Sequence, residues 1–242
     1  MLKKYILLFV LTTISVFSCE KELKDANAIV AKSIEVSGGN LVKNSNIEFD
    51  FRDKHYFAKR YSKGFVLPRV SDSITDLLTN KRFERVIIDR VVKVPDSMVS
   101  RYSASVNSVH YFSVLPYGLD GSAVNKAYMG ISKLAGKEYY KIKVTFNEEG
   151  GGEDFDDIFI YWIHVETFKV DYLAYSYNED DGLGLRFREA YNERYIKGIR
   201  FVDYNNYKPI NDNVLLESLD DLFETGGLSL LSKIELKNII VN

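Results

Sequence analysis

The sequence predicts an α+β fold that is mainly β, a large curved antiparallel sheet with two or three helices against its concave face. Three observations predict it. Several segments alternate apolar and polar residues with a period of two, the pattern of strands with one buried and one wet face. Only a few stretches carry a helical period. The aromatic load, 17 Tyr and 15 Phe in 242 residues, suits pleated surfaces.

The folded part is expected to begin at Ala26. Ala26 to Ser37 holds helix-compatible residues with Val30 and Ile34 four apart, and Gly38-Gly39 is a strong C-terminal stop. Ile47, Phe49 and Phe51 then alternate with Glu48, Asp50 and Arg52, which predicts a strand. Phe83 to Val94 is a further β segment. Between Pro95 and Pro116 the period changes, because Val99, Tyr102, Val106, Val109 and Phe112 recur at intervals of three, four, three and three. Asp96 is the expected N-cap of that helix, and Pro116 with Gly118 ends it. Alternation returns at Tyr140, Ile142, Val144 and Phe146, and again at Leu173, Tyr175 and Tyr177. Ile158 to Val165, Leu185 to Tyr191, Ile199 to Tyr204 and Ile234 to Val241 are further strands. A last helix is expected from Val214 to Glu224, with Leu215, Leu219 and Leu222 on one side and Gly226-Gly227 as its stop.

The N-terminus follows a different logic. Lys3 and Lys4 precede an apolar run from Tyr5 to Phe17, and its length of about 13 residues is short of the roughly 20 that a spanning helix needs. Residues 1–18 are therefore read as a signal peptide. The run ends in Val16-Phe17-Ser18-Cys19, which resembles the bacterial lipobox, so Cys19 is the expected site of lipid attachment. Residues 19–25, with Glu-Lys-Glu-Leu-Lys-Asp behind the cysteine, form a charged tether, and 26–242 a single domain. Cys19 is the only cysteine, so the fold must stand without a disulfide. Removing residues 1–18 takes away two lysines and no acid, which moves the formal charge from −2 to −4. That balance argues against a nucleic-acid partner, which would demand a basic face.

Catalytic and metal motifs are sparse. His55, His110 and His164 lie on different predicted elements without a second His or Cys at ligand spacing. No Gly-x-Ser-x-Gly elbow supports a hydrolase, and Gly150-Gly151-Gly152 lacks the Lys-Ser/Thr of a phosphate loop. No catalytic residue and no cofactor is expected. The acidic stretch from Glu148 to Asp157 leaves two readings open, a solvated hairpin tip between two strands or a weak Ca²⁺ site using Glu153, Asp154, Asp156 and Asp157.

Longer strings carry a family likeness. Gly136 to Phe146 (GKEYYKIKVTF), Asp157 to Tyr177 (DIFIYWIHVETFKVDYLAYSY), Leu185 to Pro209 and Ser105 to Leu119 (SVNSVHYFSVLPYGL) resemble an uncharacterised family of envelope lipoproteins from Bacteroidota, over roughly residues 26 to 242. Tyr161-Trp162-Ile163 followed by Glu166-Thr167-Phe168 is similar to the strand, turn and strand of lipoprotein-sorting carriers of the LolA and LolB type. That resemblance implies an open half-barrel with helices over its mouth and an apolar cavity for acyl chains. Two positions depart from it: Ile88-Asp89 stands in a hairpin where Asn-Gly would be usual, and His164 where an acidic residue is frequent.

Under the resemblance, Val99, Tyr102, Val106, Val109 and Phe112 with Trp162 become candidate cavity residues, while the periodicity alone equally describes plain core. Two functions follow from different classes. One is a non-enzymatic, membrane-tethered module in the periplasm or at the outer membrane surface that binds a lipid or other hydrophobic ligand. The other is an interaction protein with a filled core that docks an envelope partner.

Overall fold

A computed structural model describes residues 23–61, 64–151, 155–179 and 182–242. The expectations for the signal peptide, for Cys19 and for Glu153 and Asp154 lie outside these residues. In chain order, α1 (Ala26–Val36) and α2 (Gly39–Val42) lead into β1 (Asn46–Phe51), β2 (Lys54–Tyr61), β3 (Gly64–Ser71), β4 (Ile74–Thr79), β5 (Phe83–Ile87) and β6 (Arg90–Val92). After α3 (Asp96–Ser113) come β7 (Val124–Leu134), β8 (Lys137–Phe146), β9 (Ile158–His164), β10 (Val170–Glu179), β11 (Gly182–Ile196) and β12 (Ile199–Pro209). A 3-10 turn at Leu216–Ser218, α4 (Leu219–Glu224), β13 (Leu228–Ile234) and β14 (Lys237–Val241) complete the described chain.

The mainly β, antiparallel class holds, with the strands shared between two seven-stranded sheets. The first has the order β14-β1-β2-β3-β4-β5-β6 and the second β13-β12-β11-β10-β9-β8-β7. The two meet where the chain passes from β13 to β14, each an edge strand of its own sheet. Buried Asp203 ties that junction: it accepts from the Leu236 backbone at 2.9 Å and from Arg194 at 2.8 Å, and Arg194 also donates to the Leu236 carbonyl. The result is a curved, open half-barrel.

The second sheet is buried on both faces. One face carries Ile142, Val144, Tyr161, Ile163, Leu173 and Tyr204 and packs under α1 and the segment around Leu115 and Leu119. The other carries Ile160, Trp162, Tyr172 and Phe187 and is covered by the 3-10 turn and α4 through Leu216 and Leu219. The first sheet buries Ile47, Phe49, Tyr56 and Leu67 against Val106 of α3 and Phe201 of β12. α3 is therefore wedged between the sheets. At the end of α1, Gly38 takes a left-handed φ of 73°, and a Cβ there would sit 2.0 Å from the Gly198 carbonyl oxygen. The expected glycine stop is thus also a point of close backbone approach.

Local differences from the sequence reading have physical causes. Pro95, not Asp96, is the N-cap of α3, and no side-chain cap forms. Leu215 is exposed and Leu216 takes its place against the sheet, because the chain enters α4 through the 3-10 turn. The expected strand from Ile234 is two elements, with Ile234 ending β13 and β14 starting at Lys237. β2, β3, β4, β7 and β13 carry weak patterns. Pro68 sits inside β3, where it cannot donate to a ladder, and the pairing with β2 lapses between Arg69 and Val66. Asp76 on β4 points inward: burial pushes its pKa up, but hydrogen bonds from Arg85 and Arg69 outweigh that and hold the carboxyl below its usual range.

Phe83 to Val94 is the hairpin β5–β6, closed by Ile88-Asp89 with φ of 46° and 58°. Positive φ at both central residues is the type I′ geometry that favours Asn-Gly, and a β-branched residue there is strained by about 1–2 kcal/mol. Ile88 is exposed, so nothing in the core compensates. Replacing Ile88→Asn together with Asp89→Gly is expected to raise stability by about 1–2 kcal/mol; an unchanged urea midpoint would show that the turn is unstrained.

Candidate functional site

The main cavity, about 620 Å³, lies between the C-terminal half of α3 and the ends of β8, β9 and β10. Its size falls within the range of ordinary small-ligand sites. Tyr111 and Phe112 descend from α3, Phe146, Phe159 and Tyr175 rise from the sheet, and Ala104 and Ser108 form the helical wall. The rings pack edge-on and tilted, Phe112 to Tyr175 at 5.4 Å and Tyr111 to Phe159 at 5.9 Å, the arrangement their quadrupoles favour. Tyr177 also lines the space, and its position depends on Gly184 across the β10–β11 ladder, where a Cβ would come within 2.6 Å of the ring. Gly151, Asp156 and Asp157, from the β8–β9 connection, complete the lining.

Tyr111 and Tyr161 share a 2.7 Å hydrogen bond, and burial pushes both phenols well above their ordinary range. A second, inner space of about 50 Å³ adjoins the first and shares Ser108 and Phe112 with it. Its wall is Phe51, Val109, Val202, Tyr204, Ile234 and Leu236, with the side chain of Arg188 as the single cation.

The six apolar residues singled out from the sequence are not brought together. Phe112 lines both cavities and Val109 the inner one. Val106 is fully buried against the first sheet, and Tyr102 stacks on Phe83 at 5.9 Å there. Val99 lies near the start of the same helix, half-buried and outside both cavities. Trp162 lies on the opposite face of the second sheet, under α4, with its indole N–H donating to Asp220 at 3.1 Å. A helix held between two sheets buries two faces, so a single stripe could not separate core from cavity. The acidic connection and the helix, read apart in the sequence, converge: Asp156 and Asp157 line the same cavity as α3. Sequence reading missed Ala104, Tyr111 and Arg188; Tyr111 and Arg188 sit beside predicted core positions in strings already quoted.

A polar cleft of about 380 Å³ opens elsewhere, between Tyr139, His164, Lys169, Asp171, Glu193 and Arg200. Its charges are committed to one another: Arg200 bonds Glu193 and Asp171, Lys169 bonds Glu193 at 2.7 Å, and Tyr139 donates to Asp171. Burial pushes the Tyr172 hydroxyl up to about 12, so no phenol there serves as a base near neutral pH. His55 pairs with Asp50 at 2.8 Å, and His164 accepts backbone N–H groups of the turn that follows it. Among the described residues no three His, Cys, Asp or Glu side chains are grouped to hold a metal ion, and no helix is long and apolar enough to cross a membrane.

The family profile described as "Family of unknown function (DUF6503)" matches residues 3–236. No curated protein matches the sequence. Among solved structures, a DUF1329 family protein from Desulfovibrio piger is 12% identical at a TM-score of 0.54, over 90% of this chain and 93% of that one. That likeness shows a shared fold. A LolA superfamily protein from Nitrosomonas europaea is 9% identical at a TM-score of 0.49, over 90% and 93% of the two chains. A putative outer membrane lipoprotein-sorting protein domain from Vibrio parahaemolyticus follows at 9% and 0.44, over 88% and 93%.

Proposed function

Since the chain belongs to the family of unknown function DUF6503, we propose its role from its own geometry: a non-enzymatic module of the cell envelope, tethered through acylated Cys19, that holds a hydrophobic ligand in the cavity under α3. The observation that carries this is an aromatic-walled space of about 620 Å³ in a half-barrel whose other helix contacts are filled. Each buried methylene of an acyl chain contributes about 0.8 kcal/mol, and after association costs a micromolar affinity is the expected scale.

Two neighbouring substitutions on α3 test the reading. Ala104 lines the cavity and Val106 is packed into the first sheet; two residues apart on a helix, they point to opposite sides. Ala104→Trp is expected to abolish binding of a fluorescent fatty acid with an unchanged melting temperature. Val106→Trp should overpack the core and cost about 1–3 kcal/mol. Absence of any hydrophobe in organic extracts of the purified chain, together with no binding by the wild type, would retire the carrier reading in favour of an interaction protein.

A further inference from the structure

Three arginines are buried among the described residues, and two face carboxylates. Arg69 pairs with Asp76 at 2.6 Å, and Arg200 with Asp171 and Glu193. Arg188, only 7% exposed, has no carboxylate at ion-pairing distance among the described residues. One terminal nitrogen donates to the Tyr175 hydroxyl at 2.7 Å, the guanidinium lies 3.9 Å over the Phe112 ring, and Nε has no partner. A guanidinium is always charged, and leaving such a charge buried without a counter-ion is costly.

We propose that Arg188 is the head-group site of the cavity and that the ligand is a long-chain amphiphile with a carboxylate head, bound head inward; this rests on the carrier reading above. Phe112 lines both the outer cavity and the inner one, and its ring lies against Arg188. Rotation of that ring joins the two spaces and exposes the planar fork of donors to a carboxylate, whose two oxygens match it. A phosphate dianion would remain half-compensated, because Arg188 is the single cation of the inner wall. The acyl chain then lies along Phe146, Phe159 and Tyr175. Asp156, which lines the outer cavity, disfavours an anionic head group there, which favours the same orientation.

The whole purified chain is titrated with a 16-carbon fatty acid carrying a fluorophore at its tail and with the methyl ester of the same compound. The wild type is expected to bind the acid at least about tenfold more tightly, the scale of one charge-assisted bidentate pair. Arg188→Met should bring the acid to the affinity of the ester and leave the ester unchanged, and Arg188→Lys should keep part of the preference. The wild-type ratio decides the question even if Arg188→Met fails to fold. Equal binding of acid and ester overturns the head-group assignment while the cavity reading stands; failure of both to bind overturns both. Displacement of the probe by hexadecyl phosphate at lower concentration than by palmitate overturns the choice of a carboxylate.

Discussion

Acidification from pH 6.5 to 4.5 is expected to remove about 2 to 3 kcal/mol of stability through His110 alone. His110 lies on the α3 face turned to the first sheet, edge-on to Phe49 at 5.8 Å and to Tyr56 at 5.5 Å. Neither ring nitrogen has a partner at hydrogen-bonding geometry. Burial first, then the positive charges of Arg60 on β2 and Arg69 on β3, lower its pKa to about 3, against a smaller opposing effect from the Pro68 backbone oxygen. The unfolded chain binds the proton at about pH 6.5 and the folded one does not. Stability from this residue is therefore complete above pH 6.5 and is lost as the pH falls through the window down to about 3. Urea denaturation at pH 7, 6, 5 and 4.5 should show the wild type falling by about 1.4 kcal/mol per unit relative to His110→Phe. Parallel curves for the two proteins would refute the assignment. Asp76, Glu193 and Glu217, held below their ordinary range, add a loss of their own as the pH falls into and below the ordinary carboxylate range; His110→Phe carries the same carboxylates, so the difference between the two curves isolates the histidine.

Asp220→Ala is expected to cost about 3–5 kcal/mol, because it leaves a buried cation without its partner. The Asp220 carboxylate joins α4 to the outer face of the second sheet through Lys141 at 2.8 Å and the Trp162 indole at 3.1 Å. Lys141 also donates to the Glu217 carbonyl at 2.7 Å. Adding Lys141→Met to the variant should recover part of the loss, since an absent pair costs less than a broken one. Trp162 is the only tryptophan of the chain, so its fluorescence follows this contact in the same titration. A loss below about 1 kcal/mol would place the pair among weak surface bridges.

The strand around Phe49 was legible because it presents one dry and one wetter face, whereas those around Ile142 and Leu173 alternate in residue type although both their faces are covered, the second face carrying Lys141 and Lys143 in one and small Ala174 and Ser176 in the other. Legibility failed where a buried polar group replaced the apolar one. Asp76 on β4 and Arg188 on β11 occupy inward positions; Asp76 is met by its cross-strand neighbours Arg69 and Arg85, and Arg188 by the ring of Phe112, remote in sequence. Pro68 disguised β3 for a different reason, since its missing donor is tolerated only because the ladder lapses beside it. The α3 stripe was correct in period, as the helix from Asp96 to Ser113 demonstrates. Its single dry face became two because the helix lies between sheets. Trp162 and Tyr161 are adjacent in sequence and therefore on opposite faces of β9, so a string quoted for its likeness to carriers contributed one residue to each core.

The wedged position of α3 also bears on kinetics. A helix hinged over a single sheet could swing outward to admit a ligand, a collective motion of microseconds to milliseconds. Here the helix is held on its other side by Val106, by Tyr102 under Arg85 and by the bond from Arg69 to Ser105. Swinging it outward would tear that packing. Exchange is left to rotations of rings such as Phe112 and Tyr177, which are far faster than helix displacement. Residence time is then governed by the depth of the bound state and not by the opening of a door.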